Sequence, residues 1–197
     1  DAVRSRGLGD VYKRQAEDVM AYQLHWAPFL GDSLMPVVFF DDQTIAEYTW
    51  NAAGEYGSIA GCFALSALDS LMPGPDGTLR RNESALSDTI CVDNCPYYFL
   101  PNVFTPNRDN LNDLFEAFPW KFIDSVDVRI FNRNGEEVFQ TTDPGIKWNG
   151  MHRDGGLCAD GVYYCTAKVF TIRLTGIVEE NFLGELQLLN GVLPANE

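Results

Sequence analysis

The segment "SVDVRIFNRNGEEVFQTT", residues 125–142, decides the fold class. Val126, Val128 and Ile130 alternate with Asp127, Arg129 and Phe131. A period of two is that of a strand with one buried face. Asn134-Gly135 then predicts a tight turn with two positive-φ residues, and Val138-Phe139 a returning strand. Further on, "GVYYCTAKVFTI" (161–172) reads as a long strand and "LGELQLLN" (183–190) as the last one. "WNG" (148–150) and "RDGG" (153–156) supply turns between them.

The N-terminal half has the same texture. In "YQLHW", Tyr22, Leu24 and Trp26 share one face, and Pro28 ends the strand. "VVFF" (37–40) and "IAEYTW" (45–50) are predicted as two more strands. In "SIAGCFALSALD" (58–69), Phe63, Leu65, Ala67 and Asp69 alternate with Cys62, Ala64, Ser66 and Leu68. "MPGPDG" (72–77) is a turn by its Pro, Gly and Asp content, and "LSDTICVD" (86–93) closes the half as a strand. The chain is therefore predicted to be all-β, with two sandwiches in series. Between them, "CPYYFLPNVFTPN" is a junction stiffened by prolines and aromatics.

Hydrophobic residues make up 46% of the 197 residues, enough to build packed cores. The formal net charge is −14. Residues 1–15, "DAVRSRGLGDVYKRQ", are basic, so the remainder is more acidic still. Nucleic acid and anionic lipid need clustered Lys and Arg, and are excluded as expected partners. No apolar run approaches 18 residues, so no membrane insertion is expected, and residues 1–20 lack the apolar core of a signal peptide. The leader is similar to a translated sequencing-adapter read of the kind found at the ends of metagenome-assembled proteins. It is set aside as non-native, and residues 16–95 and 96–197 are taken as the two domains.

Chemistry-bearing residues are sparse. Asn107, Asp109 and Asp113 offer oxygens, but calcium takes six to eight ligands, and an EF-hand needs a glycine and a glutamate that this spacing lacks. Asx turns account for the cluster, and no metal or cofactor is assigned. His25, between Leu24 and Trp26, is expected on a solvated strand face, and His152 in a turn. Glu136-Glu137 and Glu179-Glu180 point to opposite strand faces, so neither forms an acid–base pair. No catalytic motif is present, and no enzyme activity is expected. Trp26 and Tyr163 are expected in cores rather than on a carbohydrate platform with Trp148 and Tyr164. Five cysteines without zinc spacing point to an oxidising compartment and one or two disulfides. Cys158 and Cys165 form either a local bridge or two buried thiols.

The first half resembles a fibronectin type III domain over about residues 17–94. The resemblance rests on Leu24-His25-Trp26, on Phe63, Leu65, Ala67 and Asp69, and on Glu83-Ser84 with Ser87. It implies that the strands holding Cys62 and Cys91 pair antiparallel about the 72–77 turn. A Cys62–Cys91 disulfide is then within reach, with Cys95 a competing partner.

The second half carries Pro101, Asn102, Phe104, Thr105, Pro106 and Asn107 in "PNVFTPN", then Asp109, Asn112 and Asp113. Asn132, Arg133 and Gly135 follow in "FNRNG", then Trp148 and Gly150 in "WNG", and Gly161 and Tyr163 in "GVY". In this order, over about residues 96–190, they resemble the gliding motility-associated C-terminal domain. This is the type B sorting domain of the type IX secretion system of gliding Gram-negative bacteria. The family usually has glycine where this chain has Arg108 and Asn110, and tryptophan where it has Asn134.

The resemblances together imply two immunoglobulin-like β-sandwich domains in tandem. They imply the C-terminal fragment of a larger protein that passes through the periplasm and is secreted or kept on the cell surface. The last domain would be its sorting signal and the first a spacer, with the type IX machinery and its outer-membrane components as partners. The alternative is an adhesin-type module whose sandwich loops bind polysaccharide or a cell-surface protein; upstream regions are a further route to a glycan or surface-protein partner.

Overall fold

The computed structural model describes residues 19–51 and 57–190, and every regular element among them is a β-strand. The leader, residues 1–15, lies outside the described residues, as do the first three positions of the expected first domain. The chain divides into two compact units, Asp1–Ala52 with Ile59–Asp93, and Ala53–Ser58 with Asn94–Glu197.

In the first unit, β1 (Ala21–Ala27), β2 (Met35–Phe40), β3 (Gly61–Leu68) and β6 (Ile90–Val92) form one antiparallel sheet in the order β2-β1-β3-β6. A small hairpin pairs β4 (Met72–Pro73) with β5 (Leu79–Arg80) across the predicted turn. Trp26 lies over Gly61, where a Cβ would stand 1.9 Å from the indole nitrogen. The backbone must pass close beneath the ring, so only glycine fits. The indole N–H donates to the Ala60 carbonyl at 3.2 Å.

Three expectations for this unit need correction. Residues 45–50 form no strand. Their rings pack on the sheet instead, Tyr48 against Phe40 and Trp50 against Trp26 and Phe63. The strand expected over 86–93 shrinks to Ile90–Val92. Upstream of it, the Ser84 and Ser87 hydroxyls accept the Ala67 and Leu65 amide protons, each at 3.0 Å, and so replace part of the backbone ladder. His25 is buried, not solvated. Its Nε2 lies 2.9 Å from Ser66 Oγ and 3.2 Å from Glu83 Oε1, while Ser66 Oγ donates to Glu83 at 2.5 Å. The one hydroxyl proton of Ser66 goes to the carboxylate, so His25 Nε2 carries a proton and donates. These bonds make its burial tolerable.

Cys62 and Cys91 face each other across β3 and β6 and are bridged, with Cα atoms 4.0 Å apart.

In the second unit, β8 (Val103–Phe104), β10 (Ile123–Phe131), β11 (Glu137–Thr141), β12 (Gly161–Arg173) and β13 (Gly176–Leu188) form a sheet in the order β11-β10-β12-β13-β8. All neighbours are antiparallel except β13 and β8. β7 (Tyr97–Tyr98) pairs with β9 (Trp120–Lys121) in a separate two-stranded sheet. The alternation read from the sequence holds: Val126, Val128 and Ile130 are buried together with Tyr163, Cys165, Ala167, Val169, Leu186 and Leu188. β8 contributes Phe104 to this core, and connecting segments close it with Phe115, Ala117, Ile146 and Trp148. The β10–β11 turn differs from the expectation. Only Gly135 has positive φ there, at 81°, and Asn134 does not. The Asn132 side chain accepts the amide protons of Asn134 and Glu136, and the Gly135 N–H bonds the Asn132 carbonyl. That is a type I turn closed by a glycine bulge, which shifts the register between Ile130 and Phe131.

The bridge between Cys62 and Cys91 spans 29 residues of sequence. Chain-entropy arguments give such a loop about 3–4 kcal/mol. The double variant C62S/C91S should unfold the first unit at correspondingly lower denaturant while leaving the second unit's transition in place. Urea titrations following far-UV circular dichroism would show this.

Candidate functional site

The motif residues of the second half are scattered over some sixty positions, but strand direction gathers them. β10, β13 and β8 end, and β11 and β12 begin, at one pole of the second unit. The 105–113 loop leaves β8 there, the 132–136 turn joins β10 to β11 there, and the loop from Trp148 to Gly161 enters β12 there.

Three motif aromatics point inward. The Trp148 ring lies 5.2 Å from Phe104, 5.6 Å from Tyr163 and 5.9 Å from Phe139, between centroids. Its indole N–H donates to the Met151 carbonyl at 2.8 Å, so the polar edge is satisfied despite burial. Gly150 sits at φ 75°, and a Cβ there would come within 3.0 Å of Pro106 and 3.2 Å of Leu188. Gly150 thus lets the "WNG" and "PNVFTPN" segments touch.

The 105–113 loop is held by its own side chains. The Asp113 carboxylate accepts the backbone N–H of Arg108 at 2.5 Å and of Asn110 at 2.8 Å. Asn107 accepts from the Asp109 amide, Asp109 accepts from the Leu111 amide, and the Asn107 side chain donates to Asp109. Thr105 N–H reaches the Asn112 carbonyl at 2.8 Å. Arg108, Asn110 and Asn112 all have positive φ, at 64°, 67° and 53°. Arg108 and Asn110 are the positions where the resemblance expects glycine, so the loop keeps its shape with residues that tolerate it less well.

At the same pole, Asn132, Arg133, His152, Asp154, Leu157, Gly161 and Tyr163 line an open concavity of mixed polarity and about 660 Å³. His152 stands between Glu136 and Asp154, 3.4 Å from each carboxylate. The Gly156 amide proton, first, and His152 hold the Asp154 carboxyl below its usual range. Arg133 is exposed, whereas the Tyr163 hydroxyl turns away to donate to the Ala159 carbonyl at 2.8 Å. Burial raises the Tyr163 phenol to about 12. Two clamps at the pole were not read from the sequence: Asp160 accepts the Asn190 amide proton, and the Asn190 side chain bonds the Cys158 carbonyl. Only folding brings residues thirty positions apart together, so no local signal marked them.

Residues 98–184 match the CHU_C type IX secretion signal domain. The second unit therefore carries a type IX secretion signal domain, which implies recognition by the type IX machinery and export to the cell surface or beyond it. No curated protein matches the chain.

Within the secretion signal domain, the bridge considered for Cys158 and Cys165 is corrected to two thiols, both buried in the hydrophobic core. Each packs as a small apolar side chain. Burial pushes both upward, Cys165 to about 11. Cys95 is a free thiol too, and exposed.

Two predictions follow from this geometry. Arg108→Gly removes a strained left-handed residue and should stabilise the domain by about 1 kcal/mol, read as a higher urea midpoint. Iodoacetamide on the native protein near pH 8 should add one adduct, at Cys95, and after unfolding without reductant three. A count of one after unfolding would instead mean that Cys158 and Cys165 are bridged.

Proposed function

We propose that the second unit is the sorting signal of the protein and that the pole bearing the motif segments is the surface the machinery reads. One observation supports this most: segments separated by up to sixty residues converge on that pole. Buried Phe104, Trp148 and Tyr163 fix its shape. Asn102, Asp109, Asn112 and Arg133 stand exposed around it. In this reading the inner residues set the geometry of the signal and the outer ones are its content. The acidic surface keeps it soluble on a route through the periplasm. The first unit, residues 16–95 in the domain division above, serves as a disulfide-stapled spacer, and catalysis has no part in either unit.

The adhesin reading has one supporting feature. Tyr22, Leu24, Phe40, Tyr48, Trp50, Phe63 and Leu65 line an open apolar groove of about 370 Å³ in the first unit. A groove of this kind could hold the apolar face of a glycan. It bears on the first unit alone and leaves the sorting role of the second unchanged.

The test is a fluorescent reporter with an inner-membrane export signal, fused ahead of residues 94–197 and expressed in a host with the type IX system. Fluorescence should reach the medium or cell surface and fall to background in a strain lacking the system. Arg133→Glu, an exposed change that leaves the core intact, should cut export several-fold without shifting the melting temperature. Full export of that variant would move the reading surface elsewhere on the domain.

A further inference from the structure

β13 is 13 residues long, and β12 pairs with it along its whole length. On its other side β8 covers only Gln187 and Leu188. The rest of that edge is open among the described residues. Which backbone groups it presents follows from parity. The Gln187 amide proton points outward, to the Asn102 carbonyl at 2.8 Å. Alternate residues of a strand direct their N–H and C=O to the same side. Ile177, Glu179, Asn181, Leu183 and Glu185 therefore turn their amide and carbonyl groups to the open edge. All five are exposed, and Leu183 has 85% of its surface free.

An open edge of this length is a template for another strand, and proteins usually blunt such edges. Among the described residues the blunting here is charge, and it has one sign. Glu179, Glu180 and Glu185 lie on β13, which holds no Lys or Arg. Lys168 on β12 lies 3.2 Å from Glu179. A second copy would bring the same glutamates to the same edge of a chain whose net charge is −14. Like charges opposed across a strand pair destabilise it, and opposite ones support it.

We propose that the free edge of β13 binds an extended, basic segment of a partner protein, which adds to the sheet as a further strand. Main-chain hydrogen bonds to residues 177–185 supply the affinity, and side chains on alternate positions supply the selectivity. The matching segment carries Lys or Arg opposite Glu179 and Glu185 and an apolar residue opposite Leu183. This inference goes beyond the sorting role and stands whether or not the unit directs export.

The probe is the fluorescein-labelled peptide Thr-Lys-Val-Thr-Thr-Val-Val-Lys-Thr, titrated with the intact chain and followed by anisotropy. Saturable binding is expected. It should weaken at least tenfold when the lysines are replaced by glutamate, and equally when alternate peptide amides are N-methylated. Asn181→Pro should do the same, because it removes an outward N–H and leaves the β12–β13 ladder paired. The double variant E179K/E185K tests the same edge without a proline. Absence of saturable binding would overturn the proposal. So would binding indifferent to N-methylation, which is charge attraction alone. A chain that sediments as a dimer, and as a monomer once Asn181→Pro is introduced, would also overturn it, by making a second copy the occupant.

Discussion

The second unit is organised around the indole of Trp148. It lies against rings from three different segments, Phe104 from the first motif, Phe139 from the hairpin and Tyr163 from the long strand. Each ring pair adds contact energy beyond its area, and together they tie the irregular half of the unit to its sheet. The Phe115–Trp148 bridge and the Trp148 N–H to Met151 bond fix the backbone on either side of the ring. Gly150 then sits where only a residue without a Cβ lets Pro106 and Leu188 close in. Many of the residues that carry the family resemblance are, on this view, parts of one packing arrangement.

Around that arrangement the polar motif residues act on the backbone. Asp113 satisfies two amides that the left-handed turns at Arg108 and Asn110 would leave unpaired. Asn132 does the same for the hairpin turn. Loops bonded by their own side chains suit the proposed readout of a folded surface, because ordering entropy is then spent in folding and not again on binding. The first unit uses other devices for a related end: a cross-strand disulfide, serine hydroxyls standing in for ladder bonds, and a buried His25–Ser66–Glu83 cluster.

Much of the framework was legible in the sequence because its strands have one wet face. Val126, Val128 and Ile130 declare their period directly, and so do Cys62, Ala64 and Ser66. The errors fell where that rule weakens. Residues 45–50 have strand-like composition, yet ring packing on the sheet captured Tyr48 and Trp50. His25 has a polar side chain on a buried face, a placement that depends on Glu83, 58 residues away. Two-residue strands such as β7 and β9 are too short to show any period.

The sequence by itself determined the all-β class, the 125–142 hairpin and many turn residues, which follow from side-chain alternation and from the φ preferences of Gly, Asn and Pro, all local properties. The motif set of the secretion signal domain was legible as a resemblance, whereas the last strand, expected over 183–190, begins at Gly176. Tertiary structure alone decided that the motif segments share a pole, that Cys158 and Cys165 stay thiols in the core, and that β13 keeps an open edge among the described residues. Those outcomes depend on strand order and direction, which are set by the packing of residues far apart in the chain and leave no mark on any short stretch of it.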